Sequence, residues 1–129
     1  MIKAILDYLT GDKELRDLVG YTPKNQRIRE YIPKNRTDYP YIIFEVFPLL
    51  AGNPVTQYRC DLTILTQDVV LTEAIANRLL ELLHFNNKPG FIIDGKSIYH
   101  STHSGGSGIN YDPDQKIFEQ ILSFNILAD

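Results

Sequence analysis

The alternation of apolar and polar positions is sharpest in YRCDLTIL, residues 58 to 65, where Tyr58, Cys60, Leu62 and Ile64 point one way and Arg59, Asp61 and Thr63 the other. A period of two marks a strand with one buried face. The run before it, YIIFEVFPLL at residues 41 to 50, is nearly all apolar and rich in β-branched and aromatic types, which suits a central strand covered on at least one face. AGNPVTQ, residues 51 to 57, is turn-forming, so the two runs predict a long antiparallel hairpin.

Elsewhere the period is helical. In residues 2 to 19, Ile2, Ile5, Leu6 and Leu9 share one face, and after Thr10-Gly11 a second turn carries Leu15, Leu18 and Val19. Two short helices, or one broken at Gly11, are expected, with Gly20 as the stop. QRIREYIP alternates weakly and ends at Pro33, the signature of a modest strand. VVLTEAIANRLLELLHF, capped by Thr66 or Asp68, is the strongest helix, with Leu71, Ile75, Leu79 and Leu82 inward and Glu73, Asn77, Glu81 and His84 outward. Residues 100 to 115, HSTHSGGSGINYDPDQ, read as a long polar loop with little to bury. KIFEQILSFNIL predicts a last strand with Phe118, Leu122, Phe124 and Ile126 on its apolar face. The order of elements predicts an α+β fold: a mainly antiparallel β-sheet with the helices packed on one face, in a single domain spanning residues 1 to 129.

GFIIDGKS, residues 90 to 97, fits the phosphate-loop pattern G-x-x-x-x-G-K-[ST] letter for letter. That pattern needs a strand before it and a helix after it, so that free backbone N–H groups converge on phosphate. Here Phe91, Ile92 and Ile93 favour an extended chain, Asp94-Gly95 is a preferred type I′ hairpin pair, and no helical spacing follows Lys96. The segment is therefore expected to be a β-hairpin.

Composition narrows the function classes. The 129 residues are 43% hydrophobic and 22% charged, close to the soluble globular average and enough for one real core. No apolar run approaches the roughly 18 residues of a membrane span, and the N-terminal stretch carries acids without a small-residue cleavage site, so neither anchoring nor secretion by that route is expected. The single cysteine, Cys60, rules out an internal disulfide and falls in an inward position, which fits a buried thiol in a reducing cytoplasm. A net charge of −3 and a pI near 5.5 supply no global attraction for nucleic acid.

Local clusters add little chemistry to that background. His100 and His103 have ligand-like spacing, but no cysteine accompanies them and the nearby Asp112 and Asp114 read as a turn, so neither a metal nor any other cofactor is expected. Ser104, Ser107, His103 and Asp112 lack a nucleophile elbow, and the carboxylate pairs Asp112/Asp114 and Glu14/Asp17 read as turn and helix-surface residues. No catalytic set is expected. The stretch from 24 to 36 gathers Lys24, Arg27, Arg29, Lys34 and Arg36 around Tyr31; charges of this kind guard an edge strand, while Lys24, Arg27 and Arg29 are candidate phosphate contacts for the alternative of a small nucleic-acid-binding module.

The segment order as a whole resembles the tailed-phage tail-completion family, small proteins that terminate the tail tube or join it to the head. The residues carrying the resemblance are the N-terminal AILDYLTGDKELRDLVG, the proline-led strand beginning Tyr39-Pro40-Tyr41, the strand-then-helix unit at 58 to 84, and a terminal strand after a variable loop. The resemblance implies a structural protein without cofactor or reaction. It implies a homo-hexameric ring at the virion head–tail junction, assembled in the host cytoplasm, with tail-tube and head connector proteins as partners and DNA passing only through the lumen. On that reading the loops at 51 to 57 and 100 to 115 supply the assembly contacts: Leu49, Leu50, Asn53 and Val55 from the apolar tip, and His103, Ser107 and Tyr111 from the polar loop.

Overall fold

Even-numbered apolar positions on four strands all turn the same way: Ile28; Ile42, Phe44 and Val46; Cys60, Leu62 and Ile64; Leu122, Phe124 and Ile126 are buried together in one cluster. The computed structural model describes residues 1–31, 39–52, 55–85, 92–93 and 95–129. Within them run α1 (Ile2–Thr10), α2 (Lys13–Val19), β1 (Ile28–Glu30), β2 (Tyr41–Leu50), β3 (Thr56–Thr66), α3 (Val69–Leu83), β4 (Ile92–Ile93), β5 (Lys96–Gly106), β6 (Asn110–Asp112) and β7 (Ile117–Ala128). The strands form one sheet in the order β1-β2-β3-β7-β5-β4, with β6 pairing β7 beside the end of β5. Only β1 and β2 are parallel; the other pairings are antiparallel. Ile5, Leu9, Leu15, Val19, Ile75 and Leu79 from the helices join the same buried cluster, so the helices cover that one face of an α+β domain.

The helix ends follow local chemistry. Asp12 caps α2 by accepting the Leu15 N–H at 2.9 Å, and Asp68 caps α3 by accepting the Val70 N–H at 3.0 Å. Gly20 ends α2 with φ 69°, the left-handed conformation that glycine adopts without penalty. The buried hydroxyls of Thr66 and Thr72 hydrogen-bond each other at 2.7 Å and thereby join the end of β3 to the first turn of α3.

Five expectations need correction. Residues 100 to 106 belong to β5 and 110 to 112 to β6, where a polar loop was expected. The cause lies in β7: its twelve residues offer a second edge from Leu122 to Ala128, and β5 satisfies it with ladder hydrogen bonds that require no apolar side chains. The run at 41 to 50 is not central but next to the β1 edge, with Tyr41, Ile42, Phe44 and Val46 buried and the residues from Phe47 onward exposed; β3 and β7 hold the middle of the sheet. The inward face of α3 is Thr72, Ile75, Ala76, Leu79 and Leu83, a rotation that leaves Leu71 and Leu82 half-buried, because α3 packs across β3, β7 and β5 together. In the first helix Ala4, not Ile2, completes the buried face. Phe118 lies near the end of its strand and is half-buried rather than core.

The hairpin expected at GFIIDGKS is present. Ile93 pairs with Lys96 and Ile92 with Ser97 across a two-residue turn in which Gly95 has φ 76°. Lys96 opens a strand, so no helix N-terminus follows the second glycine. Gly90, Phe91 and Asp94 lie outside the described residues.

Candidate assembly surface

The β2–β3 hairpin runs in register from Tyr41↔Leu65 to Pro48↔Tyr58 and then shifts between Pro48 and Leu50. Alternation places Phe47 and Leu49 on the side away from the helices, and the shift turns Leu50 outward, 68% exposed. Val55 is half-buried on the returning side, and Asn53 lies outside the described residues. The tip is therefore apolar and open to solvent. Phe47 is exposed beside the residues named from the sequence, and its place in the apolar run of 41 to 50 is the signal that points to it.

His103, Ser107 and Tyr111 sit elsewhere and have internal roles. The His103 N–H donates to Nδ1 of His84 at 3.1 Å, and the His103 ring lies 5.5 Å from that of Phe124. Ser107 is a staple: its N–H donates to the Ile121 carbonyl at 2.9 Å, and its Oγ accepts the Ile121 N–H at 3.1 Å. Tyr111 leans on Phe118, ring centroids 4.9 Å apart, with half of its surface exposed. Across the sheet, Tyr111 is level with the far end of the β2–β3 hairpin, where Thr66 pairs with Phe118, so the structure does not unite these residues with Leu49 and Leu50.

The basic residues line the β1 edge. Lys24 is exposed in the turn closed by Thr22 and Asn25. Arg27 donates through Nη1 to the Pro40 carbonyl at 3.2 Å, and Arg29 donates to Oε1 of Gln26. Lys34 and Arg36 lie outside the described residues.

The remaining polar clusters resolve into structural contacts. Asp112 Oδ1 accepts the backbone N–H groups of Asp114 and Gln115, an Asx turn leading into β7. Among the described residues, no three His, Cys, Asp or Glu side chains are grouped to hold a metal. Glu14 pairs with Arg78 at 3.2 Å and Asp17 with Lys13 at 4.0 Å. Arg78 is a hub: Nε and Nη2 reach both oxygens of Asp12 at 2.9 and 2.6 Å, while Nη1 reaches Glu81 at 2.7 Å. The guanidinium holds the Asp12 carboxyl below its ordinary range, and Asp12, followed by Glu81, makes Arg78 still harder to deprotonate. Burial pushes the Cys60 thiol up to about 12, so it is neither a nucleophile nor a ligand at neutral pH.

No family model and no curated protein matches the sequence. Among solved structures, a chain in the virion of a native gene transfer agent particle superposes with a TM-score of 0.72 over 99% of this chain and 93% of that one, at 10% identity. What the two share is a fold. The overlay spans nearly the whole of both chains, so the neighbour accounts for the helices and the sheet together rather than for one hairpin.

Proposed function

We propose that this chain is a structural protein of a phage or phage-like virion, acting at the head–tail junction as a ring-forming subunit that completes the tail tube and joins it to the head. The observation that carries this reading is the near-complete superposition on a chain of a virion particle. Three features of the molecule support it. The side chains of Ser107, Asp112, Glu14 and Asp17 are spent on a strand contact, a turn and ion pairs. The hairpin tip keeps Phe47, Leu49 and Leu50 in water, an arrangement that association relieves. The net charge of −3 suits a passage through which DNA slides without tight binding. The partners on this reading are further copies of the chain, the tail-tube protein and the head connector.

Light scattering over a concentration series at low and moderate salt tests the proposal. A hexamer of the 14.8 kDa chain is expected, with Leu50→Asp reducing assembly while leaving the monomer folded. A chain that stays monomeric and also fails to bind purified tail tubes defeats the reading. Binding to DNA with a steep inverse salt dependence, lost on replacing Lys24, Arg27 and Arg29, would favour the nucleic-acid module instead.

A further inference from the structure

The sheet has two lateral edges, and its ladder shows which residues stand level with one another across it. One edge is β1 with the adjoining end of β2; the other is β4, β5, which Phe85 bridges at Ser101, and β6, and among the described residues the path between them does not close. The rung Tyr41–Leu65–Glu119–Asn110 runs from beside Arg27 on one edge to the start of β6 on the other. The rung Leu50–Gln57–Leu127–His100 runs from the hairpin tip to β5, just beyond Tyr99. Each edge therefore has a lower and an upper half at matching heights.

The lower halves are opposite in charge. Lys24, Arg27 and Arg29 line the β1 edge, whereas Asp112 and Asp114 stand at the β6–β7 turn. Glu30 on the first edge and Lys116 on the second lessen the contrast without reversing it. The upper halves are both apolar and exposed: Leu49 and Leu50 on one side, Ile92 (61% exposed) and Tyr99 on the other. One edge thus presents cations below and apolar side chains above, and the other presents carboxylates below and apolar side chains above.

We propose that copies of this chain join side by side through these unlike edges, Lys24 and Arg27 of one copy facing Asp114 and Asp112 of the next, and Leu50 facing Ile92. The inference rests on the assembly reading above and specifies its contact. A contact between two different patches is heterologous: each copy keeps one edge free for the next, and the chain of contacts closes into a ring when the rotation permits. A tip-to-tip contact would instead bury Leu50 in a two-fold dimer and leave Ile92 and Tyr99 in water. Complementary charge in the lower half sets orientation and rate of encounter, and apolar burial in the upper half holds the copies together.

The test uses full-length chain with Leu50→Cys or Ile92→Cys, singly and mixed, and a short bis-maleimide cross-linker; Cys60 is buried and does not compete. Cross-linked dimers are expected from the mixture and from neither variant alone. In parallel, Lys24→Glu and Asp114→Lys should each weaken association about fivefold per contact, the scale of an exposed ion pair. An equimolar mixture of the two should recover it, because every contact can then pair opposite charges. Oligomers that cross-link Leu50→Cys to itself, or that lack both the mixed cross-link and the recovery, overturn this contact and leave the assembly reading standing. A chain that remains monomeric at the highest attainable concentration and binds no tail tube overturns both.

Discussion

Replacing Gly106 with alanine tests whether residues 100 to 106 are held in the sheet. Gly106 has φ 141°, which alanine adopts only under strain, and an added Cβ would lie 2.1 Å from the Ile121 carbonyl oxygen and 3.1 Å from Leu122 Cα. Both are backbone atoms of the central strand and cannot swing aside, so the end of β5 must retreat by about 1 Å to restore an ordinary contact. Retreat weakens the Gly106↔Leu122 pairing and the Ser107–Ile121 hydrogen bonds. Backbone strain of about 1–3 kcal/mol and two hydrogen bonds at about 1 kcal/mol each give a cost of about 3–5 kcal/mol. Gly105 and Gly108 supply the controls. Gly105 has φ 155° with nothing within 4 Å of its Cβ position, so Gly105→Ala should cost about 1–2 kcal/mol. Gly108 has neither constraint, and Gly108→Ala should stay within about 0.5 kcal/mol of the parent. Urea unfolding followed by circular dichroism gives the order, and amide hydrogen exchange at Ser107 and Ile121 shows whether the loss is local. If Gly106→Ala costs no more than Gly108→Ala, the segment is not held against β7 as described.

Three other outcomes are expected. Asp12→Asn keeps a capping side chain for α2 but removes the charge facing Arg78, so it should destabilise the protein at neutral pH. Because the folded Asp12 carboxyl titrates below its ordinary value, its contribution is present above the unfolded value of about 4 and is lost as pH falls through the folded one. The gap between parent and variant should therefore close on acidification, and a gap that widens refutes the assignment. Ser101 is buried, its Oγ without a partner among the described residues, in a mainly aliphatic surround that includes Ile5, Ile98 and Ile126, so Ser101→Ala should raise stability by about 1 kcal/mol in thermal or urea unfolding; a loss of that size would reveal a hydroxyl partner. Lys96→Ala should leave folding and assembly nearly unchanged, since Lys96 is a strand residue beside a hairpin turn; loss of an ATP-dependent activity on that change would reinstate the phosphate loop.

Local signals carried much of the fold. Alternation in 58 to 65, the cap at Asp68, the left-handed stop at Gly20 and the left-handed turn at Gly95 each act over a few residues, and each of these elements formed where its own sequence favours it. The phosphate-loop pattern fails on the same local ground, since β-branched residues and a hairpin pair leave no place for the helix it needs. The apolar tip was legible as well, because Leu49 and Leu50 end a nearly all-apolar strand and precede a turn.

What the chain could not show on its own were matters of partnership. HSTHSGG has the composition of a loop, and it becomes a strand only because β7 arrives beside it with unpaired backbone groups, a long-range contact that leaves no periodicity in the polar segment. The rotation of α3 toward Leu83 was settled by three strands packing beneath it at once. Which residues stand level across the sheet, Arg27 with β6 and Leu50 with β5, depends on a register summed over four strands. Hydrophobic pattern and turn chemistry are local and can be read from neighbours in sequence; hydrogen-bond partners and edge pairings form between residues tens of positions apart, and tertiary structure alone decides them.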